Sequence, residues 1–169
     1  MLEDSDKRHL QVLHLLICHV RICIALEHIN KVLPLASLEP VPGGPEYLVG
    51  LLNLAGKSIP IIDLATYLGL PRDDNYTVDT PILICNYDDQ KFGMIIDHVK
   101  GISTVEDETL QMCDEFKKDN SPFLAVVTID SELSLLINIP KILSINLLSA
   151  NDYVASDDKL LHMATIKNE

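Results

Sequence analysis

Between Pro40 and Leu70 two apolar runs of strand length, Leu48 to Leu54 and Ser58 to Ile62, are separated only by Ala55-Gly56-Lys57. A glycine-bearing turn between two such runs is the signature of a β-hairpin. Pro42-Gly43-Gly44-Pro45 precedes the hairpin. Leu64, Tyr67 and Leu68, with Gly69 and Pro71 behind them, predict a short helix after it, closed by a glycine cap. The segment contains no nucleophile with a base, no acid–base pair and no metal-ligand set. It predicts a binding surface built on a sheet.

The same punctuation continues along the chain. Leu10 to Ile17 and Ile22 to Leu26 are rich in strand formers, and the polar step His19-Val20-Arg21 predicts a hairpin between them. One helical turn is expected within Leu26 to Val32. The stretch from Val32 to Val41 contains Pro34 and Pro40, so a strand there is confined to an edge, because proline cannot donate to a ladder. Pro81 to Tyr87 and Lys91 to Ile96 flank Asp88-Asp89-Gln90, and Leu124 to Ile129 and Leu133 to Ile137 flank Asp130-Ser131-Glu132, giving two more hairpins. Val99 to Val105 reads as a strand and Ile139 to Leu148 as a helix. Short strands with turn signals at close intervals predict a mainly β chain of two barrel-like lobes with a few short helices. The polar run Arg72 to Thr80 is the expected boundary, which divides a single domain at 10–148 into subdomains 10–75 and 76–148, with extensions at 1–9 and 149–169.

Charge removes whole classes of function. The net charge is −12, and the acidic excess grows along the chain, from −3 over residues 1–75 (6 basic, 9 acidic) to −9 over the remainder (7 basic, 16 acidic). Nucleic acid is therefore not an expected partner, since its binding depends on neutralising phosphates. No run of about 18 uncharged apolar residues is available for membrane insertion, and Glu3, Asp4, Asp6, Lys7 and Arg8 crowd the N-terminus. A cytoplasmic location with reduced thiols at Cys18, Cys23, Cys85 and Cys113 is expected.

Four segments in this order and spacing resemble the CheW-like domain, found in the chemotaxis coupling protein and in the regulatory domain of the chemotaxis histidine kinase. Cys23-Ile24-Ala25-Leu26-Glu27-His28-Ile29 is similar to the family's A-I-p-L-x-x-V. Pro42 to Gly50 resembles P-x-x-P-x-x-v-x-G. Asn53-Leu54-Ala55-Gly56 with Ile59 to Leu64 resembles N-L-R-G-x-x-x-P-v-x-D-L, and Phe92 to Val99 resembles x-G-l-x-V-D-x-V. The resemblance implies two five-stranded β-barrel-like subdomains and a non-catalytic adaptor without cofactors. Its implied partners are the cytoplasmic tip of a methyl-accepting receptor, bound in the groove between subdomains, and the kinase CheA, bound at apolar barrel ends. Two positions depart from the pattern. Ala55 stands where the family usually has arginine, and Lys31 where it often has an acid, so an opposite-charge pair implied by the family is missing from both sides. A divergent relative that serves an auxiliary or non-motility array, or binds only the kinase, is the alternative that these departures raise.

The residues expected to meet partners are Ile29, Lys31, Val32, Gly50, Asn53, Ala55 and Gly56. A helical receptor hairpin needs a small-residue floor flanked by aliphatics, which Ile29, Val32, Leu48, Gly50 and Ala55 could supply. Each has a plainer reading: Gly50 and Gly56 as backbone requirements, Asn53 as a turn cap, Leu48 as core. Asp63 and Asp97 each follow an aliphatic run and are expected to accept backbone N–H bonds at turns rather than to act as an acid–base pair. Gly56-Lys57-Ser58 imitates the end of a phosphate-binding loop, but Leu51 stands where that loop needs its first glycine, and a strand follows. Cys18, His19 and Cys23 lack a second compact ligand pair, so no metal is expected.

Overall fold

The computed structural model describes residues 8–72 and 75–144. Its strands are β1 (His9–Ile17), β2 (Val20–Ala25), β3 (Ile29–Pro34), β4 (Leu48–Leu54), β5 (Lys57–Asp63), β6 (Pro81–Tyr87), β7 (Gln90–Ile95), β8 (His98–Glu106), β9 (Leu110–Gln111), β10 (Phe123–Ile129) and β11 (Glu132–Ile137). One α-helical turn, α1 (Leu64–Tyr67), follows β5, and residues 139–144 are helical. The rest of the helix expected over Ile139 to Leu148, and both terminal extensions save Arg8 and His9, lie outside the described residues.

The mainly β architecture agrees with expectation, in two sheets. One has six strands in the order β8-β1-β2-β11-β10-β9, and the other has five in the order β3-β6-β7-β5-β4. The division into 10–75 and 76–148 does not describe them. The chain leaves the first sheet after β2, builds the whole second sheet from β3 to β7, and returns at β8, which pairs with β1. Each sheet contains one parallel ladder, β11 on β2 and β5 on β7, and neither closes into a barrel: β8 and β9 are the edges of one, β3 and β4 of the other. Hairpins are local and legible, whereas β8 finding β1 is a long-range pairing that no turn signal announces.

Hairpin turns are one residue tighter than the sequence suggested. Among the described residues, all seven non-glycine residues with positive φ lie in them: Cys18 and His19, Ala55, Asp88 and Asp89, Asp130 and Ser131, with Gly56 completing the fourth. Positive φ at both central positions gives the turn whose twist matches that of its flanking strands. Most of these positions lack glycine, so each stores a modest strain that strand pairing offsets.

Alternation along the strands builds three apolar cores. The six-stranded sheet encloses Val12, Cys23, Val105, Ala125, Val127 and Leu136 on its inner face. Its five-stranded counterpart encloses Leu52, Ile59, Ile61, Ile82, Ile84 and Ile95. Between the sheets lies a third and larger core, where Leu13, Leu15, Ile17, Ile22 and Ile24 meet Leu48, Leu83, Phe92 and Met94, joined by Ile139 and Ile142. Strands β2, β5, β6 and β7 are thus buried on both faces, which is why they read as continuous apolar runs rather than alternating ones.

Candidate functional site

The partner residues expected from the sequence fall on the margins of the five-stranded sheet. Strand β3 is one of its edges, and its terminal Pro34 suits that place. A bulge between Ile29 and Lys31 breaks the ladder with β6. Lys31 is exposed, Val32 is 44% exposed, and Ile29 is half-buried against the central core.

Strand β4 is the opposite edge. Asn53, Ala55 and Gly56 are exposed at the β4–β5 turn, where the Gly56 amide donates to Asn53 Oδ1 at 3.1 Å, so Asn53 caps the turn. Ala55 at φ 52° occupies a left-handed position that disfavours a β-carbon. Lys31 and Ala55 thus project from separate edge elements of one sheet.

Gly50 and Leu48 are buried and do not join a docking floor. Glu39 pairs with Leu51, and the segment ahead of β4 comes so close that a β-carbon on Gly50 would lie 2.6 Å from the Glu39 carbonyl oxygen and 3.0 Å from Leu38 Cβ. Gly50→Ala is therefore expected to destabilise the protein by about 1–3 kcal/mol, the usual magnitude of overpacking, in urea unfolding followed by circular dichroism. An unchanged midpoint would mean that the segment at Leu38–Glu39 can move aside.

A polar cluster lies where the two sheets adjoin. Asp63, the last residue of β5, is 2% exposed and caps α1, accepting from the Ala65 amide at 2.9 Å and from Thr66 Oγ1 at 3.1 Å. Arg72 approaches it with two parallel bonds, Nε to Oδ2 and Nη2 to Oδ1, both 3.0 Å, and Tyr76 Oη donates to Oδ2 at 2.5 Å. The remaining guanidinium arm, Nη1, donates to Asp97 Oδ1 at 2.7 Å. Asp97 stands between β7 and β8, and its Oδ2 accepts the Cys18 amide from the β1–β2 turn at 2.6 Å. A cleft of about 230 Å³ opens beside the cluster, walled by Leu16, His19, Pro71 and His98.

Sequence reasoning missed Arg72 and Tyr76, which it read as boundary residues. An arginine just past a glycine-capped helix that follows a buried aspartate was the available signal. Both carboxylates face one guanidinium and are engaged by donors, an arrangement suited to holding structure. Burial pushes the Asp63 carboxyl up, but hydrogen bonds from Arg72 and Tyr76, the Arg72 charge and the Thr66 hydroxyl more than reverse this and hold it below the usual carboxylate range. A depressed folded pKa contributes stability that is present above the unfolded value near 3.9 and is lost as pH falls through the folded one. Asp63→Asn should accordingly flatten the acid limb of a stability–pH curve below about pH 4, and an unchanged limb would remove Asp63 from that role.

The six-stranded sheet offers apolar shoulders beyond the central core. Val99 and Ile102 on β8 stand directly across from Leu15 and Leu13, yet Ile102 is 59% exposed, and Leu133 on β11 is 63% exposed. Cys23 lies inside this sheet, where burial pushes its thiol up to about 12. Among the described residues no group of three or more His, Cys, Asp or Glu is placed to hold a metal ion, and no helix is long and apolar enough to cross a membrane.

The CheW-like domain family model matches residues 11–146. The chain is 29% identical over 124 residues to a probable chemotaxis protein CheW of Rhizobium etli, an alignment that spans 72% of this chain and 79% of that protein. With the chemotaxis protein CheW of Thermotoga maritima it shares 25% over 118 residues, 70% of this chain and 77% of that one. The crystal structure of the scaffolding protein TtCheW from Thermoanaerobacter tengcongensis superposes with a TM-score of 0.71 at 21% identity, covering 78% of this chain and 90% of that one.

Proposed function

The chain belongs to the CheW-like domain family, and from that premise we propose that it is a chemotaxis adaptor linking methyl-accepting receptors to the histidine kinase CheA without chemistry of its own. The observation that carries this reading is the extent of the family match, which runs through both sheets and includes every strand that the central core joins. The surfaces support it. The edge strand β3 with Val32 and the shoulder at Val99 and Ile102 leave aliphatic side chains exposed, the kind of surface on which an amphipathic receptor helix or a partner sheet buries its own apolar face. The receptor's cytoplasmic tip and the kinase regulatory domain are the two partners assigned, and the protein acts in the cytoplasm.

Titration of the purified protein against the cognate kinase regulatory domain and a receptor signalling fragment tests the proposal. Binding to both, weakened for the receptor by Val32→Glu, is expected. No binding to either at tens of micromolar would end it.

The exposed pair of departures favours a narrower second reading, in which the protein serves an auxiliary array or engages only the kinase. Under it, Lys31→Glu combined with Ala55→Arg should raise receptor affinity. An exposed ion pair contributes only about 0–1 kcal/mol, so an effect no larger than that would attribute the departures to drift.

A further inference from the structure

Arg72 touches two carboxylates that belong to different parts of the fold. Asp63 closes β5 in the five-stranded sheet, whereas Asp97 holds the tip of the β1–β2 hairpin in the six-stranded sheet through the Cys18 amide. We infer that Arg72 is a latch: by clamping Asp97 while anchored on Asp63, it orders the β1–β2 tip and the Pro71 wall, and so fixes the shape of the cleft that they line.

Three observations carry this. The tip is a two-residue turn that carries modest backbone strain, since Cys18 and His19 both sit at positive φ without being glycine, at 46° and 68°. Its Cys18 amide donates to a side chain from another part of the chain, Asp97 Oδ2, at 2.6 Å, so the orientation of that carboxylate bears on the order of the tip. The carboxylate is oriented in turn by Arg72 Nη1 on its other oxygen, while the two parallel bonds to Asp63 hold the guanidinium plane. Tyr76 completes the anchor, with its ring 5.2 Å from the guanidinium carbon and its hydroxyl on Asp63. A lysine at 72 is a point charge and cannot bond both Asp63 oxygens and reach Asp97. The latch concerns the protein's own shape and does not depend on which partner is bound.

Native-state hydrogen exchange, read residue by residue by NMR, tests it in Arg72→Lys and in Asp97→Asn. In both variants the Cys18 amide should exchange about ten-fold faster, while the amides of Leu83 and Met94 in the buried strands change much less. Acceleration at Cys18 in Asp97→Asn alone, with Arg72→Lys unchanged, would overturn the inference, because Asp97 would then hold the turn unaided. Acceleration of Cys18, Leu83 and Met94 by one common factor would also overturn it, by showing general destabilisation. Should Arg72→Lys not fold, Arg72→Gln with Asp63→Asn, which removes the buried charge together with its partner, provides the same reading at Cys18.

Discussion

Arg72→Ala should destabilise the folded protein by about 3–5 kcal/mol at neutral pH, the magnitude expected when one partner of a buried ion pair is removed. The side chain of Arg72 is 16% exposed and that of Asp63 3%, so solvent contributes little to either. With the guanidinium gone, Asp63 keeps the Ala65 amide, Thr66 and Tyr76 as donors but loses the charge that compensates it. Asp97 at 23% exposure can turn to water, so most of the loss arises at Asp63. Two controls follow from this division. Adding Asp63→Asn to Arg72→Ala should recover part of the lost stability, because no charge is then stranded. Asp97→Ala alone should have a smaller effect than Arg72→Ala. The chain has no tryptophan, so urea unfolding followed by far-ultraviolet circular dichroism is the suitable measurement. A loss below about 1 kcal/mol would mean that the network behaves as an exposed pair.

What was legible in the sequence was local. The β4–β5 hairpin showed in its apolar runs and in Gly56, and the cap on α1 showed in Asp63 followed by a helical spacing that Gly69 ends. Partition of strands between the sheets was hidden, because β8 pairs with β1 and β11 lies parallel to β2, contacts made across most of the chain length. The candidate site divides in the same way. Val32 and Lys31 could be placed on an edge from Pro34, an exclusion written into a single residue. Gly50 could not be resolved, since whether its missing side chain serves a partner or the chain itself depends on the approach of Glu39, which only the folded backbone shows. Arg72 was overlooked for a related reason: a lone arginine in a polar run usually faces solvent, and only the meeting of Asp63 with Asp97 makes this one a bridge.

Phe92→Ala is expected to be about as damaging as the loss of Arg72, again about 3–5 kcal/mol, through a cavity rather than a stranded charge. Phe92 is 1% exposed and sits on β7 opposite Cys85, on the face that meets the six-stranded sheet. Its loss leaves a cavity in the core that the two sheets share. Ile102→Ala on the exposed shoulder removes an aliphatic side chain of comparable chemistry and should change stability by no more than about 0.5 kcal/mol, although it is expected to weaken partner binding. The contrast separates residues that hold the fold from residues held ready for another surface. It also bears on cooperativity. Because Phe92 belongs to a core that both sheets share, its loss should lower the unfolding midpoint of the two sheets together, read as parallel increases in amide exchange in β6 and in β10. If β10 kept its protection while β6 lost it, the inner core of Val12, Val105 and Val127 would be sufficient to hold the six-stranded sheet alone, and the adaptor would consist of two independently stable halves.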